Sequence, residues 1–308
     1  MTVNHEIKDW LKSRPVAPIP QSLSELRLQV NHDIIQQQGI EQDAGYQSSF
    51  KVKVADQTEI EVRSYIPDQL QHQQQRPALV FAHGGGWCLG SLDAWDRACR
   101  LLADSTQLVV FSVDYRLAPE FKFPIPLTDF FCAFRHIYHN ALTLGIDPNR
   151  IAVGGDSAGA NLAAVTCLLA KQHPEIQISH QLLFYPALDA TMNSPSYTTY
   201  AEDFGLTTAT MAYCWDQYLN NESERNDERA NPLLAKSLQG LPAATIFACE
   251  YDPVRDDAER YAERLKNAGI DVKLHLLTGM IHGAIHMNAI TPEARKIYQK
   301  IELAINKG

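Results

Sequence analysis

A serine between two glycines is the feature of this sequence that most directly suggests chemistry. The pentapeptide Gly155-Asp156-Ser157-Ala158-Gly159 stands where a buried apolar run, 151–153, gives way to a helical apolar pattern over 162–170. A strand that feeds a helix through Gly-x-Ser-x-Gly makes a tight turn that exposes the serine hydroxyl as a nucleophile. The pentapeptide alone also fits an ordinary strand-helix turn. The assignment of Ser157 as nucleophile therefore depends on a base, an orienting carboxylate and an oxyanion hole elsewhere in the chain.

Three successive glycines after the apolar run 78–82 are the candidate oxyanion hole. In His83-Gly84-Gly85-Gly86-Trp87 no side chain covers the glycine N–H groups, which can therefore donate to a developing negative charge. We predict His83 to be a structural residue that hydrogen-bonds this loop. A dinucleotide-binding motif would need a third glycine where the chain has Leu89. The candidate oxyanion donors are the backbone N–H groups of Gly84, Gly85, Gly86 and Ala158.

The orienting carboxylate is predicted directly after a later strand. Asp252 follows the apolar run 244–248, and Pro253 prevents regular strand pairing from continuing. Asp256 and Asp257 are expected in the first turn of the next helix, where its dipole stabilises them. We therefore assign Asp252, rather than its two neighbours, to the orientation of a histidine base.

The general base is predicted in the loop after the last strand. His282 precedes Gly283 there, and His286 lies four residues further on. Two histidines at this spacing could suggest a metal, but the glutamate of His-Glu-x-x-His is replaced by Gly283, so no metal site is predicted. The chain order Ser157, Asp252, His282 is that of the α/β-hydrolase fold.

Composition limits the classes of partner. The 308 residues carry a net charge of -9, with a pI near 5.6, so no nucleic acid partner is expected. The first ten residues contain no apolar signal core, and no apolar run approaches a membrane span, so we predict a cytoplasmic protein without stable membrane association. Six single cysteines without a Cys-x-x-Cys pair are expected to be reduced core residues.

The periodicity of the chain predicts one α/β domain with a cap. Residues 1–45 form an N-terminal helical cap segment, in which an apolar pattern is made by Leu23, Leu26, Leu28, Val30, Ile34 and Ile35. The catalytic domain, 46–308, begins with two alternating strands that pair antiparallel. Short continuous apolar runs then predict a mostly parallel central sheet with helices on both faces. An inserted helical segment at about 190–226 is expected to complete the cap.

Five ordered motifs carry a resemblance to a known family. They are His83-Gly84-Gly85-Gly86-Trp87, Asp114-Tyr115-Arg116-Leu117-Ala118-Pro119-Glu120, Gly155-Asp156-Ser157-Ala158-Gly159, Asp252-Pro253-Val254-Arg255-Asp256 and Gly279-Met280-Ile281-His282-Gly283. Together they resemble the bacterial hormone-sensitive-lipase family of carboxylesterases. The resemblance implies an α/β-hydrolase fold that hydrolyses short-chain acyl esters under a helical cap, without cofactor or metal. Family members often form dimers through the sheet edge, so a homodimer is the partner to test.

Two positions depart from the family pattern. Ala160 stands where a second glycine is usual after Ser-Ala-Gly, and Ala284 stands where a phenylalanine is frequent after His-Gly. Both differences alter the pocket rather than remove a catalytic group. Candidate pocket residues are Trp87, Tyr185, Phe204 and Leu206. We expect Arg116 and Glu120 to brace the loop near the site.

The reaction predicted from these residues is two-step acyl transfer on a small-molecule ester. An amidase or arylformamidase would use the same triad. A long-chain lipase is disfavoured because the sequence shows neither a large mobile apolar lid nor a secretion signal. A ligand-binding protein on an inactive hydrolase scaffold would normally lack a triad residue, and all three are present here.

Overall fold

A computed structural model of the protein describes residues 2–13, 22–39 and 46–305. Its centre is an eight-stranded sheet with the order β1-β2-β4-β3-β5-β6-β7-β8. The strands are β1 (Tyr46–Lys53), β2 (Glu59–Ile66), β3 (Arg76–Ala82), β4 (Val109–Val113), β5 (Ile146–Asp156), β6 (Gln181–Phe184), β7 (Ala244–Tyr251) and β8 (Val272–Ile281). Every apolar run used in the sequence analysis falls on one of these strands.

Strand direction follows the two sequence patterns. The alternating strands β1 and β2 pair antiparallel, with Val52 opposite Ile60, and β2 is also antiparallel to β4. All pairs from β4 through β3 to β8 are parallel. Parallel strands are covered on both faces, which explains their continuous apolar runs. The prediction of a mostly parallel sheet with an antiparallel start is confirmed.

Helices cover both faces of the sheet. They are α1 (His5–Ser13), α2 (Leu23–Gln38), α3 (Leu92–Thr106), α4 (Ile125–His139), α5 (Ala158–Ala170), α6 (Ser196–Thr199), α7 (Thr208–Tyr218), α8 (Arg255–Asn267) and α9 (Pro292–Ile305). One apolar cluster joins β3 through Val80 to α4, α5 and α8, and a second joins it through Phe81 to α3 and α9. Because consecutive side chains of a strand point to opposite faces, one strand contributes to both clusters.

The N-terminal helices were only partly predicted. Ile7 of α1 is buried, and the backbone N–H of Asn4 donates to Gly279 O at 2.9 Å. In α2, however, Leu28 and Ile35 are 72% and 46% exposed, so the apolar pattern over 23–35 does not mark one buried face. The buried residue of α2 is instead the polar Gln38, whose side-chain amide donates to Ala94 O at 2.8 Å. Predicted cap residues 14–21 and 40–45 lie outside the described ranges.

The segment between β6 and β7 contains α6 and α7, followed by short 3-10 turns at 222–226 and 232–234. Both helices lie within the range 190–226, and the assignment of that range as a cap insertion stays a prediction. None of the described helices is long and apolar enough to span a membrane.

All six cysteines are free, and all except the half-buried Cys132 are buried, as expected for core residues.

Candidate active site

Ser157 occupies a strained turn between β5 and α5. Its φ of 53° and ψ of -118° are unusual for a residue other than glycine. A Cβ on Gly159 would lie 2.0 Å from Ala82 O, and one on Gly155 would lie 2.4 Å from the Gly159 carbonyl carbon. The two glycines thus allow the turn to pass against β3. The strain at Ser157 places its side chain beyond the end of the sheet.

The three residues predicted as a triad are in hydrogen-bond contact. Ser157 Oγ lies 2.9 Å from His282 Nε2, and His282 Nδ1 lies 2.7 Å from Asp252 Oδ2. Asp252 is fully buried, and its Oδ1 accepts the Val254 N–H at 3.0 Å. An ionised carboxylate only accepts hydrogen bonds, so Asp252 retains the Nδ1 proton on the histidine. Nε2 is then the acceptor that faces the serine hydroxyl.

One of the three glycine N–H groups in the loop is already hydrogen-bonded. Gly84 donates its N–H to Asp156 Oδ1 at 2.8 Å, so this donor is already engaged. Gly85 and Gly86 have positive φ values of 101° and 58°, and within the described ranges neither N–H meets an acceptor. Ala158 begins α5, where the first N–H groups of a helix have no intrahelical acceptor. Gly85, Gly86 and Ala158 therefore remain the candidate oxyanion donors.

A family model described as the alpha/beta hydrolase fold matches residues 79–286. The chain belongs to the α/β-hydrolase family. Residues 1–78 lie outside that match, so the helices α1 and α2 precede the part of this hydrolase that defines the family.

Several relatives of this hydrolase are named as ester hydrolases or esterases. Carboxylic ester hydrolase LipN of Mycobacterium tuberculosis is 41% identical over 217 residues, which are 68% of this chain and 58% of LipN. Ethyl acetate hydrolase of Pseudomonas putida is 35% identical over 248 residues, or 80% of this chain and 78% of the relative. The solved structure of an esterase from Pyrobaculum calidifontis has a TM-score of 0.90 at 32% identity, covering 99% and 98% of the two chains. These matches confirm the resemblance to carboxylesterases of the hormone-sensitive-lipase family.

A buried carboxylate beside the nucleophile organises the site of this hydrolase. Asp156 Oδ1 accepts from Trp95 Nε1 at 2.8 Å in addition to Gly84. Its Oδ2 lies 3.5 Å from His286 Nε2, and the His286 ring meets the Trp95 ring edge-on, with centroids 4.9 Å apart. These contacts of Asp156 were not predicted from the sequence. The available sequence signal was the position of Asp156 between an apolar strand and a buried helix. A charge buried at such a position requires hydrogen-bond partners.

His83 has the structural role expected of it. His83 is fully buried, its Nδ1 lies 2.7 Å from Gly84 O, and its ring stacks on Tyr115 at 4.4 Å. Burial lowers the pKa of His83, which favours the neutral ring. His282 and His286 contact different carboxylates, and the described part of the chain contains no cluster of three metal-ligating side chains.

Trp87 is placed differently from the other candidate pocket residues. Its ring is wholly buried, stacks on Tyr218 with centroids 4.6 Å apart and lies 4.1 Å from Trp215. Both partners belong to α7. The Trp87 side chain therefore joins the glycine loop to the segment between β6 and β7.

The other three candidate pocket residues, Tyr185, Phe204 and Leu206, differ in what they contact. The Tyr185 ring meets the His282 ring edge-on at 4.7 Å. Phe204 is half-buried and stacks on Tyr251 at 5.3 Å, and Leu206 is half-buried. A Cβ on Gly205 would lie 3.3 Å from Ile281 Cδ1, so this segment passes beside the residue that precedes the histidine.

Both motif residues expected to brace the site do form ion pairs, though with different partners. Arg116 donates to both carboxylate oxygens of the buried Asp129, at 2.8 Å each, and to Asp56 Oδ2 at 2.7 Å. Glu120 instead accepts hydrogen bonds from Arg27 of helix α2. The sequence could not indicate that second pairing because its partners are 93 residues apart.

Proposed function

We propose that the protein is a serine carboxylesterase that hydrolyses short-chain acyl esters through an acyl-enzyme. The observation that carries the proposal is the unbroken contact from Ser157 Oγ through His282 to the buried Asp252. Relatives named carboxylic ester hydrolase and ethyl acetate hydrolase support the ester class and a short acyl group.

The first half of the reaction forms the acyl-enzyme. His282 Nε2 accepts the hydroxyl proton while Ser157 Oγ attacks the ester carbonyl carbon, and Asp252 stabilises the imidazolium. The carbonyl oxygen becomes an oxyanion that accepts from the N–H groups of Gly85, Gly86 and Ala158. When this intermediate collapses, the bond to the alcohol oxygen breaks and His282 returns the proton to the departing alcohol.

The second half repeats the sequence with water. The water oxygen attacks the acyl carbon while His282 removes a proton from that water. The same N–H groups donate to the new oxyanion. Collapse releases the carboxylic acid and returns the proton to Ser157 Oγ. No metal or cofactor takes part in these steps.

The helical cap and the pocket belong to the same proposal. Gly205 lies beside both Ile281 and Leu11, since a Cβ there would be 3.3 Å and 3.9 Å from their side-chain carbons. This proximity supports a cap made jointly by the N-terminal helices and the segment at about 190–226. Phe204, Leu206 and Tyr185 would then line the acyl pocket, with Trp87 supporting it through α7.

An amidase or arylformamidase remains the second candidate, because the same triad would attack an amide carbonyl.

A cytoplasmic location and a homodimer stay predictions from the sequence. Light scattering of the purified full-length chain at several concentrations tests the homodimer, and a monomeric mass throughout would contradict it.

Hydrolysis of a p-nitrophenyl ester series from acetate to palmitate tests the function. We expect fast turnover of the short esters, slower release from a formanilide, and loss of activity in Ser157→Ala. Ser179→Ala is the matched control, since Ser179 is exposed and its backbone N–H donates to Ile151 O far from the site. Full activity in Ser157→Ala, or none on any ester in the folded wild type, would refute the proposal.

A further inference from the structure

The Arg27 side chain connects helix α2 to the end of the glycine loop. Arg27 donates from Nε to Cys88 O at 2.8 Å and from one terminal nitrogen to Ala118 O at 2.9 Å. The guanidinium also pairs with both carboxylate oxygens of Glu120, at 2.8 and 2.7 Å. A helix outside the family match thus contributes hydrogen bonds to the loop that carries the proposed oxyanion donors.

The two carbonyl groups held by Arg27 belong to one backbone network. The Ala118 N–H donates to Trp87 O at 2.9 Å, while the N–H groups of Cys88 and Leu89 donate to Gly85 O at 3.2 and 2.8 Å. The loop therefore folds back on Gly85, and its far end is attached to the 116–120 segment. Arg27 links the two segments through its side chain, which donates to one carbonyl group in each of them.

Glu120 fixes the orientation of this guanidinium. The paired contacts match the planar fork of arginine to a carboxylate, a geometry that lysine cannot reproduce. The Arg27 side chain is 23% exposed, less than the 50% of Glu120. Hydrogen bonding to Arg27 holds the pKa of Glu120 below its ordinary value, which favours the ionised carboxylate.

We propose that Arg27 is a positioning residue for the oxyanion loop. It does not touch the reacting atoms. By holding the carbonyl groups of Cys88 and Ala118 it keeps the N–H groups of Gly85 and Gly86 directed at the oxyanion, so these Arg27 contacts, and not the docking of α2 in general, raise turnover. This inference rests on the proposed serine esterase function.

The test compares full-length variants on a short p-nitrophenyl ester. We expect Arg27→Ala to lower kcat about tenfold, less than the 10²–10³ lost with a whole oxyanion donor, and to leave KM within about twofold. Affinity for a trifluoromethyl ketone, whose adduct with Ser157 carries an oxyanion, should fall by a similar factor. Arg27→Lys should recover little, and Glu120→Gln should give an intermediate loss.

Gln38→Ala is the matched control. Gln38 lies on the same helix and donates to Ala94 O, so the substitution weakens α2 docking without touching the loop. We expect its thermal stability to fall while kcat stays within about twofold of wild type. Added guanidinium ion, below the concentration that unfolds the protein, should restore part of the kcat of Arg27→Ala and none in Gln38→Ala.

Two results would overturn the inference. One is a kcat for Arg27→Ala equal to that of Gln38→Ala, and the other is unchanged affinity for the trifluoromethyl ketone. If Arg27→Ala does not fold, Arg27→Lys and Glu120→Gln carry the same comparison. Failure of the proposed function is recognised separately, because it would appear as an inactive wild type or as an active Ser157→Ala.

Discussion

The backbone N–H of Gly84 donates to Asp156 Oδ1, so the residue before the candidate nucleophile also holds the start of the glycine loop. A Cβ on Gly84 would lie 2.6 Å from Asp156 Oδ2, which shows how closely the two segments approach. This contact connects the end of β5 to the loop after β3. Because it occupies the Gly84 N–H, the glycines of this loop that remain candidate oxyanion donors are Gly85 and Gly86.

Replacing Asp156 with alanine should impair both stability and turnover. The buried N–H groups of Gly84 and Trp95 would lose their acceptor, at about 1–3 kcal/mol for each unsatisfied donor. We expect a fall of that order in the free energy of unfolding and a lower kcat as the glycine loop shifts. Asp156→Asn retains an acceptor oxygen and should lie between wild type and alanine. Equal denaturant midpoints for wild type and Asp156→Ala would contradict this role.

A methyl group at Gly159 should prevent the elbow from packing. The new Cβ would be 2.0 Å from Ala82 O and 2.5 Å from His83 O, and both are backbone atoms that cannot move aside. We expect Gly159→Ala to give insoluble or inactive protein. Gly269→Ala is the control, because a Cβ there meets nothing within 4 Å and only the positive φ of 79° opposes it, at about 1–2 kcal/mol. Circular dichroism and solubility distinguish the two, and a soluble, native-like Gly159→Ala would disprove the steric argument.

Removal of the Trp87 ring should uncouple α7 from the glycine loop. Truncation of a fully buried tryptophan to alanine typically costs about 3–5 kcal/mol. Trp87→Phe keeps a ring against Tyr218 and should lose much less. Denaturant unfolding measures both variants, and ester kinetics should show a raised KM in Trp87→Ala if α7 forms part of the cap. A Trp87→Ala variant as stable as Trp87→Phe would mean that the stacking contributes little.

Acid should weaken the pairing between the β1–β2 turn and the 116–120 segment. A hydrogen bond from Arg116 lowers the pKa of Asp56 from 3.8 to about 2. A carboxyl group whose pKa is lowered by folding stabilises the protein above its unfolded pKa, and this contribution disappears as the pH falls through the folded value. We therefore expect the stability of wild type relative to Asp56→Asn to fall between about pH 4 and pH 2. A difference that is constant over this range would exclude the pair as a source of acid sensitivity.

Much of the fold was predictable because its strands and helices are specified locally. Continuous apolar runs marked the parallel strands, and alternation marked β1 and β2. Helix α2 was harder, since its apolar pattern includes the exposed Leu28 while its buried contact comes from the polar Gln38. A pattern of side-chain polarity cannot indicate a contact made by one buried amide.

The candidate site shows the same division. Ser157, Asp252 and His282 could be chosen from the sequence because each lies beside a turn-forming residue at the end of an apolar run. Their distances of 2.9 and 2.7 Å depend on the packing of β5, β7 and β8 in one sheet. The placement of Trp87 against α7 was not indicated, since aromatic residues at such positions fit a pocket wall and a packed interface equally well.

The sequence by itself determined the order of strands and helices, the tight turn at the serine and the types of residue that can carry acyl transfer. These are local properties, set by side-chain polarity, by glycine and proline, and by spacing along the chain. Only the tertiary structure decided that Asp156 engages Gly84 and that Arg27 reaches Cys88. Such contacts join segments 72 and 61 residues apart, and their existence depends on how whole helices and strands pack.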